Sequence, residues 1–195
     1  MKTVETTLSS PHISNALIMG SFSRFRDIPQ FPFASYHCNV GWSYLEEWLD
    51  GHKGATSYTI ELNPDYQRGY VWSQEQKERY IEYRLKGGFS GKDIYWNCPN
   101  WMQFHKVKNA KLELVDGKQR IDAVIGFMND EVKAFGKFKS EFEDKMPFTI
   151  DFVFHINNLV NRRDVIEWYL GLNRGGSVHT EKDLQPAYEA LKNCL

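Results

Sequence analysis

The chain predicts an α+β fold. Helical and strand-like patterns alternate along it in mixed order, and capping signals delimit the helices. No internal repeat or low-complexity run interrupts the pattern. At 195 residues it fits one compact domain able to bury a core without staples. Its formal net charge of -1 gives no global basic signal for nucleic acid, so any such surface must be local. Cys38, Cys98 and Cys194 are widely spaced and contain no C-x-x-C pair, which argues against a disulfide framework or zinc site and for a reducing, cytoplasmic compartment. The longest early apolar run, Ala16 to Met19, is too short for a leader or a membrane span, and no membrane partner is expected.

Residues 1–41, with Pro11, Pro29 and Pro32, read as an irregular arm packing on a domain that occupies 42–195. Ser43 with Glu46 forms a capping box for a helix from Tyr44 to Asp50, closed at Gly51. Tyr58 to Leu62 is a short strand. Ser73 with Gln76 opens a second helix, buried at Ile81 and Leu85 and ending at Gly87-Gly88. Asp93 to Asn97 is a strand, while Trp101 to Lys108 is either its hairpin partner or a loop. A strand then runs to Asp116 and feeds a helix whose buried face is Ile121, Val124, Ile125 and Met128. Glu131 to Met146 is charged, with Phe135, Phe138 and Phe142 at helical spacing, and Pro147 to Ile156 reads as a strand. Asn161 caps a helix from Asp164 to Leu172 that stops at Asn173-Arg174-Gly175-Gly176. Thr180 with Asp183 then caps a last helix containing Leu184 and Tyr188. Six Trp, ten Tyr and thirteen Phe recur throughout, so most of them must line the core.

Leu112 to Met128, LELVDGKQRIDAVIGFM, carries the most chemistry. A strand passing through Asp116-Gly117 into a helix start offers N–H groups and a positive dipole end, with Lys118, Gln119 and Arg120 crowded on the first turn. That arrangement suits an anion such as phosphate. The plainer alternative is an ordinary turn with Asp116 as N-cap and solvated neighbours. Gly175-Gly176 likewise reads either as a helix stop or as a nest of N–H groups facing phosphate. Asp122 lies on the exposed side of its helix, and Glu181 is a first-turn acid as readily as a base. His12, His37, His52, His105, His155 and His179 show no metal-ligand spacing; His155 reads as a satisfied strand residue and His179 lies near the third polar string. Cys98, before Pro99, reads as packing. Lys106, Lys108, Lys111, Lys118 and Arg120, with His105, form the one dense basic stretch, a solvated face or a track for a nucleic-acid backbone.

Three polar strings fall at element ends. They are Pro64-Asp65-Tyr66-Gln67-Arg68-Gly69-Tyr70-Val71-Trp72, Asp116-Gly117-Lys118-Gln119-Arg120-Ile121, and Leu172-Asn173-Arg174-Gly175-Gly176 followed by Thr180-Glu181-Lys182-Asp183-Leu184. In order and spacing they resemble the DGQQR-motif family, the N-terminal domain of GmrSD-type restriction systems that attack modified DNA, often termed ParB/sulfiredoxin-like. The family patterns are P-x-Y-Q-R-x-x-V-W, D-G-Q-Q-R-L and L-N-x-G-G with T-x-x-E/D-L, and the likeness spans roughly Trp42 to Leu184.

The resemblance implies a compact α/β domain that binds a nucleoside triphosphate with Mg2+ and, in several relatives, hydrolyses it in connection with DNA recognition or cleavage. Carried over by position, Arg120 would contact phosphate, Gln119 would position nucleotide or water, and Asp116 would hold the turn or recruit the metal. Gln67, Arg68, Gly117, Lys118 and Asn173 to Gly176 would line the nucleotide. A planar guanidinium suits Arg68 to a second phosphate clamp. Lys118 and Ile121 depart from the family pattern; the lysine adds charge where the family has glutamine. Relatives commonly carry a C-terminal HNH-type nuclease domain, for which this chain has no room. The implied setting is therefore phage or defence biology, with a nucleoside triphosphate as ligand and DNA or a separate nuclease subunit as further partners. The rival readings are a ParB-like metal-dependent DNA nuclease, which needs clustered acids around metal, and a non-catalytic DNA-binding or protein-interaction module.

Overall fold

Alternating apolar residues in DFVFHIN and DIYWN form the centre of a five-stranded mixed sheet. The computed structural model describes residues 22, 24–28, 30, 34, 36–51, 58–67, 69, 71–99, 101, 110–174 and 181–194. The chain divides into Met1–Phe31, where Phe25–Asp27 forms a 3-10 turn, and Pro32–Leu195, to which everything below refers. The strands are β1 (Tyr36–Gly41), β2 (Tyr58–Glu61), β3 (Asp93–Asn97), β4 (Ala110–Asp116) and β5 (Asp151–Asn157). The helices are α1 (Leu45–Gly51), α2 (Gln74–Leu85), α3 (Lys118–Met128), α4 (Arg162–Arg174) and α5 (Glu181–Lys192). The pairs β1–β5 and β3–β4 are antiparallel, and β2–β4 and β3–β5 are parallel. Among the described residues no helix is long and apolar enough to cross a membrane.

One face of the sheet buries Val40, Ile94, Trp96, Leu112, Leu114, Phe152, Phe154 and Ile156 beneath α1, α2 and α3. Trp48 of α1 lies edge-on to Phe154 at 4.7 Å and 5.6 Å from Trp96, a geometry favoured by ring quadrupoles. The other face carries a smaller layer in which Val165, Ile166, Trp168 and Tyr169 of α4 and Leu184 and Ala187 of α5 close on Tyr66 and Val115.

Several sequence expectations shift for identifiable reasons. The end of the proline-bearing arm, Tyr36–Gly41, is not irregular but is the edge strand β1, because Cys38 and Val40 alternate inward opposite Phe154 and Phe152. A 3-10 turn at Trp42–Tyr44 replaces the Ser43 capping box, since Trp42 is 1% exposed and pulls the entry turn into the core. Phe135, Phe138 and Phe142 do not share a helix. Phe135 and Gly136 both take positive φ, 53° and 77°, in a turn bridged by Ala134 and Lys137, and a 3-10 turn follows at Lys139–Glu141. In α3 burial centres on Ile121, Ala123, Val124 and Phe127, with Ile125 and Met128 only half-buried, because Val132 of the following loop packs against Gly126 on a second side. The Ser73–Gln76 capping box forms as expected. Residues 102–108 and Thr180, for which a hairpin or loop and a cap are expected, lie outside the described residues.

Candidate functional site

A strand with side-chain period two would point Asp116 to the same side as Leu114, into the core. It does not, because the β3–β4 register slips. Tyr95 faces Asp116 while the next residue, Trp96, faces Leu114, so Val115 is one residue extra on β4. This bulge turns Asp116 onto the face shared with Tyr95, the usual service of a bulge beside a site. Gln67 secures it. Its Nε2 donates to the carbonyls of both Leu114 and Val115, the latter at 2.8 Å.

Gly117 follows at φ 110°, ψ 6° and is the N-cap of α3, so the position read as an Asp116 cap falls one residue later. Its carbonyl accepts from the amides of Arg120 and Ile121, both at 3.0 Å, and no side chain caps the helix start. A Cβ at Gly117 would stand 2.5 Å from Ile94 Cδ1, so both conformation and packing require glycine here.

Arg120 donates from a terminal nitrogen to Asp116 Oδ2 at 2.5 Å, with side chains 22% and 30% exposed. Its Nε is shielded from solvent and meets no protein acceptor. The aliphatic stem lies against Gly91, where an added Cβ would come 3.5 Å from Arg120 Cδ and 3.2 Å from Tyr80. The Tyr80 hydroxyl donates to the Gly91 carbonyl at 2.8 Å; burial pushes its pKa up, against Arg120 and Arg84, which lower it. Arg120 is thus held between α2 and the loop 86–92. That loop and Tyr80 are site components that sequence reasoning treated only as a helix stop and a core aromatic.

Gln119, expected to position nucleotide or water, has both ends of its side-chain amide bonded to backbone. Its Oε1 accepts from the amides of Val71, at 3.0 Å, and Trp72, at 3.2 Å, while Nε2 donates to the Gly69 carbonyl at 3.1 Å. The second polar string therefore grips the backbone of the first, as Gln67 of the first grips β4. Lys118 is 9% exposed. Burial lowers its pKa, with Asp122 and Glu61 acting in opposition, so its charge sits with those acids on the β2 side. Asp122 is not simply solvated, since it pairs with Lys77 of α2 at 2.6 Å.

Asn173 is 6% exposed in the last turn of α4 and donates to the Tyr169 carbonyl one turn back at 2.7 Å, so its amide is engaged within its own helix. Trp168 of the same helix meets Tyr95 edge-on at 5.9 Å, next to Asp116 in the sheet. Arg68, Gly175, Gly176, His179 and the side chains of Arg174 and Glu181 lie outside the described residues. Cys98 is fully buried and burial raises its thiol to about 11, which fits packing rather than nucleophilic chemistry. Among the described residues no group of three or more His, Cys, Asp or Glu is placed to hold a metal ion.

Two substitutions probe this construction. Gly117→Ala must strain a positive φ and displace Ile94, and urea unfolding should show a loss of more than about 2 kcal/mol; a stability within 0.5 kcal/mol, on the order of an ordinary surface change, would contradict it. Gln67→Ala and Gln119→Ala each should cost about 1–3 kcal/mol. Because both act on one short segment, the double variant should lose less than the sum by at least about 0.5 kcal/mol. Strict additivity in that cycle would show that the two clamps are independent.

The comparisons agree with the motif order. The family model for the GmrSD restriction endonuclease, N-terminal domain, matches residues 45–193, most of the chain. No curated protein and no solved structure shows a match. With the interlocked first and second polar strings placed at one sheet end, and a family match running from α1 to beyond α5, this chain belongs to the N-terminal domain family of GmrSD restriction endonucleases.

Proposed function

We propose that the domain binds a nucleoside triphosphate with its terminal phosphates at the Gly117 turn, and hydrolyses it slowly within a restriction system. The observation that carries this reading is Arg120: a half-buried guanidinium wedged between Tyr80 and Gly91, with a shielded Nε and one acidic partner, beside a helix start that no side chain caps. Such a guanidinium can trade a carboxylate for a phosphate without ever standing unpaired in a poorly solvated place. Membership in the GmrSD N-terminal family supports the restriction-system setting.

On this reading Arg120 is the main phosphate clamp and the Gly117 turn lets the backbone approach the anion. Arg68, flanked by the anchored Gln67 and Gly69, is a second clamp. Gln119 is a positioning residue that holds the loop following Arg68. Asp116 fits a share of a magnesium ion, which takes one or two protein carboxylates and fills its other positions with phosphate oxygens and water. It would offer the oxygen that Arg120 does not use. The metal supplies charge neutralisation at the phosphates, and the chain supplies orientation and a fixed positive charge. In the reaction, water attacks the terminal phosphorus, the bond to the bridging oxygen breaks, and nucleoside diphosphate and phosphate leave. DNA cleavage would belong to a separate nuclease. A nuclease centre in this domain would need clustered metal ligands, and the described residues supply no such group.

Isothermal titration tests the assignment. Arg120→Ala should weaken nucleoside triphosphate binding by about 1.5–3 kcal/mol while the fold persists. Asp116→Asn removes the carboxylate that competes for Arg120, so it should strengthen binding of metal-free triphosphate and abolish most of the gain on adding Mg2+. A folded Arg120→Ala variant of unchanged affinity would overturn the phosphate role.

A further inference from the structure

Between α3 and β5, residues 129–150 carry only the 3-10 turn Lys139–Glu141. A connection of that length without a helix or strand is uncommon in a compact domain and usually has a function. It is nevertheless firmly tied. The Phe135 amide donates to Glu82 of α2 at 2.9 Å, the Ser140 amide to Asp130 at 2.9 Å and the Phe138 amide to Glu141 at 2.6 Å. Phe142 meets Phe127 of α3 edge-on at 6.5 Å. Asp130 and Phe135, at φ 59° and 53°, are the two non-glycine residues of positive φ among the described residues, and for phenylalanine that backbone is strained.

What these ties hold open is a cavity of about 570 Å3 between the segment and the C-terminal ends of α2 and α3. Phe127, Phe135 and Phe142 supply its aromatic walls, and Met128 and Met146 add flexible, polarisable ones. Phe127 is 2% exposed and lies deepest, while Ser43, Asp144 and Lys145 are exposed and mark the mouth. A well-packed interior leaves no such gap. Its size falls within the range of small-molecule sites and is roughly four times that of a cavity holding one benzene ring. The cavity stands at the opposite end of α3 from the Gly117 turn, about 15 Å along the helix.

Charge on the walls narrows the ligand. Lys139 and Lys145 line the cavity and form no ion pair among the described residues, and Asp144 is the one carboxylate on its walls. Asp130, Glu141 and Glu82 nearby are engaged by the backbone amides that tie the segment. Two ammonium groups against one carboxylate leave the walls with a net positive charge that a single anionic group on a ligand balances. We infer that this cavity binds a small amphipathic anion: an apolar body of about two or three rings, bearing one carboxylate, sulfonate or phosphate group that faces Lys139 and Lys145. The site is separate from the Gly117 turn and stands independently of the nucleotide reading.

The experiment titrates the full chain, without nucleotide, with 8-anilinonaphthalene-1-sulfonate and with N-phenyl-1-naphthylamine, which has the same rings and no charge. Both probes should bind at one saturable site and shift the methyl resonances of Met128 and Met146. The sulfonate should bind roughly 3- to 10-fold more tightly, the gain expected of two part-exposed ion pairs. Lys139→Met combined with Lys145→Met should erase that preference and leave the affinity of the uncharged probe unchanged. Ser43→Trp, at an exposed position on the mouth, should obstruct the cavity and weaken both probes to the same degree. Binding that leaves the Met128 and Met146 resonances in place, equal affinity of the two probes for the wild type, or a Ser43→Trp variant that binds both as before would overturn the assignment. Failure of either probe to saturate would do the same.

Discussion

The pair of hydrogen bonds from Gln67 to the carbonyls of Leu114 and Val115 is the contact on which the rest of the site depends. A regular strand would carry Asp116 to the face of Leu114, beneath α3 and against Ile94 and Trp96, where an ionised carboxylate would be prohibitively costly. The extra residue sends it instead to the face of Tyr95, and the Gln67 amide supplies donors where the ladder is disturbed. Two consequences follow from that single irregularity. Asp116 can pair with Arg120, and Gly117 can enter α3 with a left-handed backbone.

The dependence is reciprocal. Gln67 of the first polar string fixes β4 just ahead of the second string, and Gln119 of the second fixes the backbone of Gly69, Val71 and Trp72 in the first. Two glutamines separated by α2, β3 and β4 thus lock one loop to one turn from both ends, using amide groups that carry no charge and so do not disturb the Asp116–Arg120 pair. That pair is the electrically active element. It is partly buried, short at 2.5 Å, and flanked by Tyr80 and Gly91, which restrict where the guanidinium can go. On the proposed reading, phosphate replaces one anionic partner of Arg120 with another and releases Asp116 for the metal.

How much of this was legible in the sequence depends on the range of the interaction that decides each feature. Local signals were reliable where a local bond decides: the Ser73–Gln76 capping box, the strand Asp93–Asn97 and the entry into α3 after Gly117 are all present. They misled where a distant partner decides. The helical spacing of Phe135, Phe138 and Phe142 yields to a tight turn at Phe135-Gly136, and Tyr36–Gly41 becomes a strand only because β5 lies beside it. The motif spacing shows that two polar strings exist, yet not that they interlock through Gln67 and Gln119. Gln119 reads as a ligand-facing amide until its backbone partners, about fifty positions away, are known. The bulge, the Gly91 wall and the His155–Tyr95 stack leave no periodic trace, since each is a matter of register between strands and loops distant in sequence.

A crystal structure of the chain with a non-hydrolysable nucleoside triphosphate analogue and Mg2+ tests the central claim most directly. The account predicts the terminal phosphate within hydrogen-bonding distance of Arg120 and over the Gly117 turn, with the Asp116–Arg120 contact opened and the Gln67 and Gln119 clamps unchanged. Phosphate bound elsewhere, with the 2.5 Å Asp116–Arg120 pair intact, would contradict it.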